Sequence, residues 1–278
     1  MKGVPYYVPG TAEVERLKSG DSEARLRARA ELIALGPQVI PMLFDQLGGL
    51  GKASISDNLS SEENSRAALA IEEIKHLLRE MGSEIAPILV GMLGSSAGHY
   101  AAAVFDEHYV AAIPLLVNAC RSPNLGVRRN AISALRYTCL SAETSLPEVT
   151  QTLLGLTLDS DGEVRGKAAD TLLDLCGARR QMVERYRKWL RDSSHLVRVC
   201  GIRALGALSL DDDLPALVGL LKDGDSSVRR CALDSIAKYG PRAQNAITAI
   251  RSIFDREKDG YCGDAARDAL NKIEGGPR

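Results

Sequence analysis

Aromatic side chains are scarce in this 278-residue sequence: they make up 4% of it, with one Trp and three Phe. Large β-sandwiches and barrels draw on aromatic and β-branched residues, so the shortage disfavours both. A surplus of charge is also missing. Lys plus Arg number 35 against 36 for Asp plus Glu, a net charge of −1. No global positive field is therefore available to hold nucleic acid or an anionic membrane. No apolar run approaches the ~18 residues that a membrane span needs. The start, Met1-Lys2-Gly3-Val4-Pro5-Tyr6-Tyr7, has no apolar core after its lysine, which argues against a secretory signal. The six cysteines, at 120, 139, 176, 200, 231 and 262, form no CxxC pair and have no metal-ligand spacing to a His. In a chain of this size they read as reduced, buried, small apolar residues. These absences give the expectation of a cytoplasmic protein with no cofactor, no metal site and no membrane partner.

Leu and Ala dominate the 45% of residues that are apolar, and both favour helix. They recur in register. Val-Arg appears at Val127-Arg128, Val164-Arg165, Val197-Arg198 and Val228-Arg229, at steps of 37, 33 and 31 residues. Four residues after each Val stands a small residue: Ala131, Ala168, Gly201 or Ala232. Eight residues after it stands Leu135, Leu172, Leu205 or Ile236. Positions i, i+4 and i+8 share one helix face, and a small residue in the middle lets a neighbouring helix come close. Weaker copies flank these four: Ala24, Ala28 and Leu32 before them, and Cys262, Ala266 and Leu270 after them. Arg66, Ala70 and Ile74 keep the spacing inside the blurred stretch 60–121.

Each patterned helix is followed by a second apolar helix, often opened by a proline (Pro41, Pro87, Pro114, Pro147, Pro215). Proline suits a first turn, where its missing N–H has no intrahelical partner. Asp159-Ser160-Asp161-Gly162, Asp192-Ser193-Ser194 and Asp223-Gly224-Asp225-Ser226-Ser227 separate the units as breakers and N-caps. A single helical hairpin cannot bury its own apolar faces, whereas stacked hairpins build a continuous core. The expectation is an all-α solenoid of about seven hairpins plus a C-terminal capping helix. It forms a single domain over 1–278, with an N-terminal extension at 1–18, a flexible loop at 48–64, its most regular repeats at 122–255 and the cap at 257–274. Tyr6, Tyr7 and Val8 are candidates to cover the first repeat.

The run Asp, four residues, Val-Arg, two residues, small, two residues, Ala, then Leu or Ile resembles the HEAT repeat, closest to the short bacterial type called PBS-lyase HEAT-like. Asp159, Asp192 and Asp223 stand five residues before their Val, and Ala134 and Ala204 match the penultimate Ala; Thr171 and Ser235 depart from it. The resemblance covers 19–274 and is strongest over 122–255. It implies a right-handed superhelix with the second helices on the concave face. It also implies an inter-repeat polar ladder of the Asp residues with Arg165, Arg198 and Arg229. A repeat of this kind specifies fold and says little about activity.

Several motifs evoke chemistry and lack its context. Gly94-Ser95-Ser96-Ala97-Gly98 fits G-x-S-x-G, with Ser96 as nucleophile and His108 or His195 as base. That elbow needs a strand before it, and here a proline-opened helix precedes it, so an inter-repeat turn is the better reading. Gly48-Gly49-Leu50-Gly51-Lys52-Ala53-Ser54 evokes a phosphate loop, but Gln46 and Ala53 stand where Gly and Ser or Thr belong. Asp211-Asp212-Asp213 is suited to a hard cation or, at a helix start, to the helix dipole; capping is preferred. No His-Glu dipeptide occurs, so the resemblance to the iron-dependent deoxyhypusine hydroxylases fails. No residue is assigned a catalytic role.

The most informative surface is the helix expected over 178–190. Met182, Val183, Tyr186, Trp189 and Leu190 fall on one face and should pack inward. The other face carries Arg180, Glu184, Arg187, Lys188 and Arg191, and 177–191 holds six basic residues and one acid, net +5. These five residues are the candidate partner-binding site. The function they point to is a non-catalytic scaffold that binds a protein with an acidic surface on its concave face. The alternatives are an accessory subunit of an enzyme, such as a bilin-lyase-like factor, and a helical-repeat nucleic-acid binder; one Trp and the balanced charge disfavour the latter.

Overall fold

The computed structural model describes residues 10–55, 61–144, 146–257 and 260–275, with the side chains of 49–55, 61–64, 66 and 67 left aside. Every element among the described residues is helical. Two compact units divide at residues 152 and 153, inside a helix rather than in a Gly- or Pro-rich linker.

In the first unit α1 (Thr11–Leu17) precedes α2 (Ser22–Leu35) and α3 (Ile40–Ile55). There follow α4 (Ser61–Glu80), α5 (Ala86–Met92), α6 (Gly98–Val104), α7 (Ile113–Ala119) and α8 (Leu125–Ser141). Helix α9 (Pro147–Leu156) spans the division. The second unit holds α10 (Gly162–Cys176), α11 (Val183–Trp189), α12 (His195–Leu208), α13 (Leu214–Gly219), α14 (Ser226–Ile236), α15 (Ile247–Arg256) and α16 (Gly263–Glu274). Within each unit the patterned first helices pack on one another: α2 on α4, α4 on α6 and α6 on α8, then α10 on α12, α12 on α14 and α14 on α16. This is the packing of an all-α repeat stack.

The i, i+4, i+8 register supplies much of the core, with Ala24, Val127 and Leu270 only half-buried. Val164, Ala168, Val197, Leu205, Val228, Ala232 and Ile236 are all fully buried, as are Ala28, Leu32, Ile74 and Ala266. Each large aliphatic side chain so buried contributes about 1.5–3 kcal/mol. The small middle position does what the pattern predicts. A Cβ on Gly201 would lie 2.9 Å from the Tyr186 carbonyl oxygen and 3.0 Å from Trp189 Cβ, so α11 rides directly on the α12 backbone.

The second helices of the later repeats are shorter than the sequence pattern suggests. The helix expected over 178–190 is a 3-10 turn, Arg180–Met182, followed by α11. The same 3-10 entry precedes α5 (Ser83–Ile85) and α13 (Asp211–Asp213). Before α11 the chain reverses at Gly177 (φ 64), a left-handed conformation that glycine adopts without a Cβ clash. The equivalent exit from α8 is made by Glu143 (φ 49).

The expected loop at 48–64 is a correction. Helix α3 continues through 48–55 and α4 begins at Ser61; only 56–60 lie outside the described residues. Gly48 serves packing rather than breaking: it faces Ser96, and a Cβ on it would stand 3.0 Å from Ser96 Oγ. Close contact outweighs a local helix penalty of about 1 kcal/mol per glycine. The N-terminal extension 1–18 contains α1, with Val14 and Leu17 buried. Tyr6, Tyr7 and Val8 lie outside the described residues. No single helix among those described is long and apolar enough to cross a membrane.

Candidate functional site

The implied polar ladder forms, and it sets the frame for the surface beside it. Arg165 donates through Nε and Nη2 to the two oxygens of Asp192 (3.0 and 2.7 Å) and through Nη1 to the carbonyls of Asp159 and Ser160. Arg198 does the same with Asp223 (2.9 and 2.8 Å) and the carbonyls of Asp192 and Ser193. Arg229 ends the row on Glu257 (3.1 and 3.0 Å), where the sequence pattern names no acid. Each guanidinium thus ties its own turn to the next repeat through a planar fork that matches a carboxylate. Burial pushes the Asp192 and Asp223 carboxyls up, but the arginine bonds and a backbone N–H outweigh it, and both lie below the ordinary Asp value. The Arg229 bonds hold Glu257 below the ordinary Glu value against a smaller opposing effect of burial. These acid–base pairs are structural.

Helix α11 carries the candidate stripe. Of the five residues expected to pack inward, Tyr186 is 1%, Trp189 4% and Leu190 7% exposed, with the Tyr186 and Trp189 rings 5.3 Å apart, while Met182 and Val183 are half-buried. Trp189 is a core residue. Of the six basic residues in 177–191, three are engaged within the second unit. Arg179 donates to the Cys176 carbonyl, and Arg185 donates to Thr157 Oγ1 (3.1 Å). Arg187 donates through Nε to Asp213 Oδ1 (2.6 Å) and through Nη1 to Glu184 Oε1 (2.7 Å). Arg180, Lys188 and Arg191 remain exposed.

The structure brings four of the five candidate residues to one place and leaves Arg180 a turn earlier. Glu184, Arg187, Lys188 and Arg191 line one wall of a groove of about 700 Å³ between α11 and α13. The facing wall carries Asp212, Asp213, Ala216 and Gly219, and Leu190 and Leu220 complete the lining. Three cations and three acids, Glu184, Asp212 and Asp213, therefore line the groove, so the net positive charge read along the sequence does not survive as a net positive groove. Sequence reasoning missed the facing wall because it belongs to the next repeat. The signal was there in the Asp211-Asp212-Asp213 triplet and in the small residues at Ala216 and Gly219.

That triplet does not behave as expected. Asp213 is the N-cap of α13, yet its side chain accepts no capping hydrogen bond. It is buried against Arg187, while Asp211 pairs with Arg242 (2.5 Å) and Asp212 stays exposed. Arginines in two other elements outcompete the helix start for these carboxylates. The three side chains do not group for a cation. Asp106, Glu107 and His108 do lie within metal-ligand reach of one another, but Asp106 is already held by His108 Nδ1 (3.0 Å) and by Arg79 (3.4 Å).

The G-x-S-x-G segment is the turn from α5 to α6, with no strand before it. A Cβ on Gly98 would fall 2.2 Å from the Leu93 carbonyl oxygen, so that glycine closes the turn. The cysteines are free thiols, four of them buried. Burial pushes Cys120 and Cys200 up to about 12 and Cys231 up to about 11, and keeps all three protonated at neutral pH.

With the geometry in hand, likeness to known proteins can be placed. No curated protein matches the sequence. Residues 183–271 match the model for HEAT repeats. In fold, the chain is similar to YibA of Escherichia coli (TM-score 0.54, 17% identity, 95% of this chain and 91% of that one). It is also similar to Kap121p bound to Ste12p (TM-score 0.55, 14% identity), covering 95% of this chain and a third, 33%, of that one. Human deoxyhypusine hydroxylase aligns over 96% of both chains with a TM-score of 0.39, too low to carry an argument. At these identities the likeness is one of fold. The segment from α11 into α16 is similar to HEAT repeats, and the fold is that of an all-α helical-repeat protein.

Proposed function

We propose that this protein is a non-catalytic scaffold that holds a protein partner on the face formed by its second helices. On this reading that face is the concave side of the hairpin stack that carries α11 and α13. The observation that carries the proposal is the open groove between α11 and α13, rimmed by exposed Lys188 and Arg191. An open, charged, shallow surface suits recognition through distributed contacts with a few anchors. Arg180, Lys188 and Arg191 are the residues free to meet an acidic partner surface, while Arg187 braces the groove through Asp213 and Glu184. Kap121p, whose fold is similar, has been seen bound to Ste12p, and a comparable use of helical repeats is part of this reading.

The test is affinity capture from the source organism's lysate, comparing wild type with Lys188→Glu plus Arg191→Glu. One stoichiometric protein retained by wild type and reduced at least tenfold by the reversal supports the scaffold and its site. Such a loss corresponds to about 1.4 kcal/mol or more. Equal capture by both moves the site away from α11. Recovery of nucleic acid or pigment in place of a protein overturns the scaffold reading.

A further inference from the structure

We infer that the α11–α13 groove takes an extended peptide segment of the partner, one that presents a carboxylate and, within a few residues, a side-chain N–H donor. This rests on the scaffold reading and narrows it. Three independent features meet at the groove.

The first is Asp213. It is 1% exposed, and one of its oxygens is held by Arg187 at 2.6 Å. The other oxygen, Oδ2, has no hydrogen-bond partner among the described residues. A buried carboxylate oxygen without a donor is costly, and a site built to receive a donor explains why it is kept. The second feature is the pair of small residues on α13. Ala216 and Gly219 are both exposed, and a Cβ placed on Gly219 would meet no atom within 4 Å. A main chain can lie against α13 there without displacing a side chain.

The third feature is the arrangement of charge. Lys188 and Arg191 stand exposed on the α11 wall, whereas Asp212 stands exposed beside Asp213 on the α13 wall. A purely acidic ligand meets Asp212 and Asp213, and a purely basic one meets Lys188 and Arg191. A ligand that carries both kinds of group, in the right order, satisfies both walls and is selected over either. An extended chain advances ~3.3 Å per residue and turns alternate side chains to one side, so two groups a few residues apart can reach the two walls together.

The experiment selects a displayed random dodecapeptide library on the full chain. Peptides enriched by wild type should pair Asp or Glu with Asn, Gln, Lys or Arg within four residues. A synthetic copy of the consensus, labelled for fluorescence anisotropy, should bind at least tenfold more weakly to Lys188→Glu plus Arg191→Glu. It should bind at least threefold more weakly to Asp213→Asn, which keeps an oxygen for Arg187 and puts a donor where the unpartnered acceptor stood. Asp213 is buried, so a second arm leaves the protein untouched: replacing the peptide's donor residue by Leu should cost the same threefold on wild type. Enrichment of acid-only peptides indifferent to Asp213→Asn overturns the inference and leaves the acidic-partner scaffold standing. Enrichment unaffected by the Lys188 and Arg191 reversals overturns both at this face. No enrichment at all overturns the inference, and lysate capture then judges the scaffold on its own.

Discussion

Replacing Arg198 by Ala should destabilise the second unit by about 2–4 kcal/mol, and the figure follows from where the side chain sits. The guanidinium makes two hydrogen bonds to Asp223 and two to backbone carbonyls of its own turn. Its side chain is 16% exposed and that of Asp223 11%. Breaking a fully buried pair costs about 3–5 kcal/mol, and residual solvent lowers the figure here. Asp223 also keeps the Asp225 N–H at 2.9 Å, which softens the loss. The contrast is Arg27 with Glu23, an i,i+4 pair that is 70% and 72% exposed. Pairs of that kind are worth about 0.3–0.5 kcal/mol. Arg198→Lys keeps the charge but loses the fork, so it should recover less than half of the effect. Urea unfolding followed by circular dichroism gives the size, and hydrogen exchange in α12 and α14 gives the place. A double-mutant cycle with Asp223→Ala isolates the pair. If Arg198→Ala proves as mild as Arg27→Ala, the ladder is decoration and the account of it is wrong.

The depressed carboxyls of Asp192, Asp223 and Glu257 make the same ladder pH-dependent. Their stabilisation should be complete above the ordinary carboxylate range and be lost as pH falls through their lowered folded values, which acid titration of unfolding would show as a drop that Arg198→Ala flattens. Gly201→Ala should cost about 1–3 kcal/mol in urea melts, because its Cβ would press on the Tyr186 carbonyl at 2.9 Å and push α11 off α12. Glu143→Gly should stabilise the first unit by about 0.5–1 kcal/mol in thermal melts, since an exposed side chain is held at φ 49 where glycine is unstrained. Cys120 and Cys200 should resist iodoacetamide at neutral pH until the chain unfolds, whereas fast labelling in the native state would contradict their buried, protonated setting.

The first helices were legible because their logic is periodic. Val197, Gly201 and Leu205 lie on one face by spacing alone, and the ladder arginine follows Val197 at the same place in each regular repeat. The second helices were legible in place and less so in extent. A proline or an apolar run marks where α5, α11 and α13 begin, but nothing local says that the first turn is 3-10. The 48–64 misreading has the same root. Glycine and serine counts describe local preference, while Gly48 is chosen by its distance to Ser96, a residue of the next hairpin. The site was half legible. The exposed face of α11 could be listed from its sequence, but the Arg187–Asp213 bond joins residues 26 apart, and only folding shows that it removes Arg187 from the free charge.

This division of labour also decides how mutations on α11 should be interpreted. Helices as short as α11 and α13 are not stable alone, and they are held by the first helices beneath them. Their exposed positions carry little of the fold: exposed substitutions away from such contacts usually change stability by less than about 0.5 kcal/mol. A loss of partner binding on reversing Lys188 or Arg191 can therefore be read as a loss of contact. Arg187 is different. Removing it strips Asp213 Oδ1 of its donor beside an oxygen that already has none, so the variant both weakens the α11–α13 connection and changes the groove. Binding lost in Arg187→Ala carries two causes at once, and the two exposed cations next to it are the residues on which recognition by this face is separable from stability.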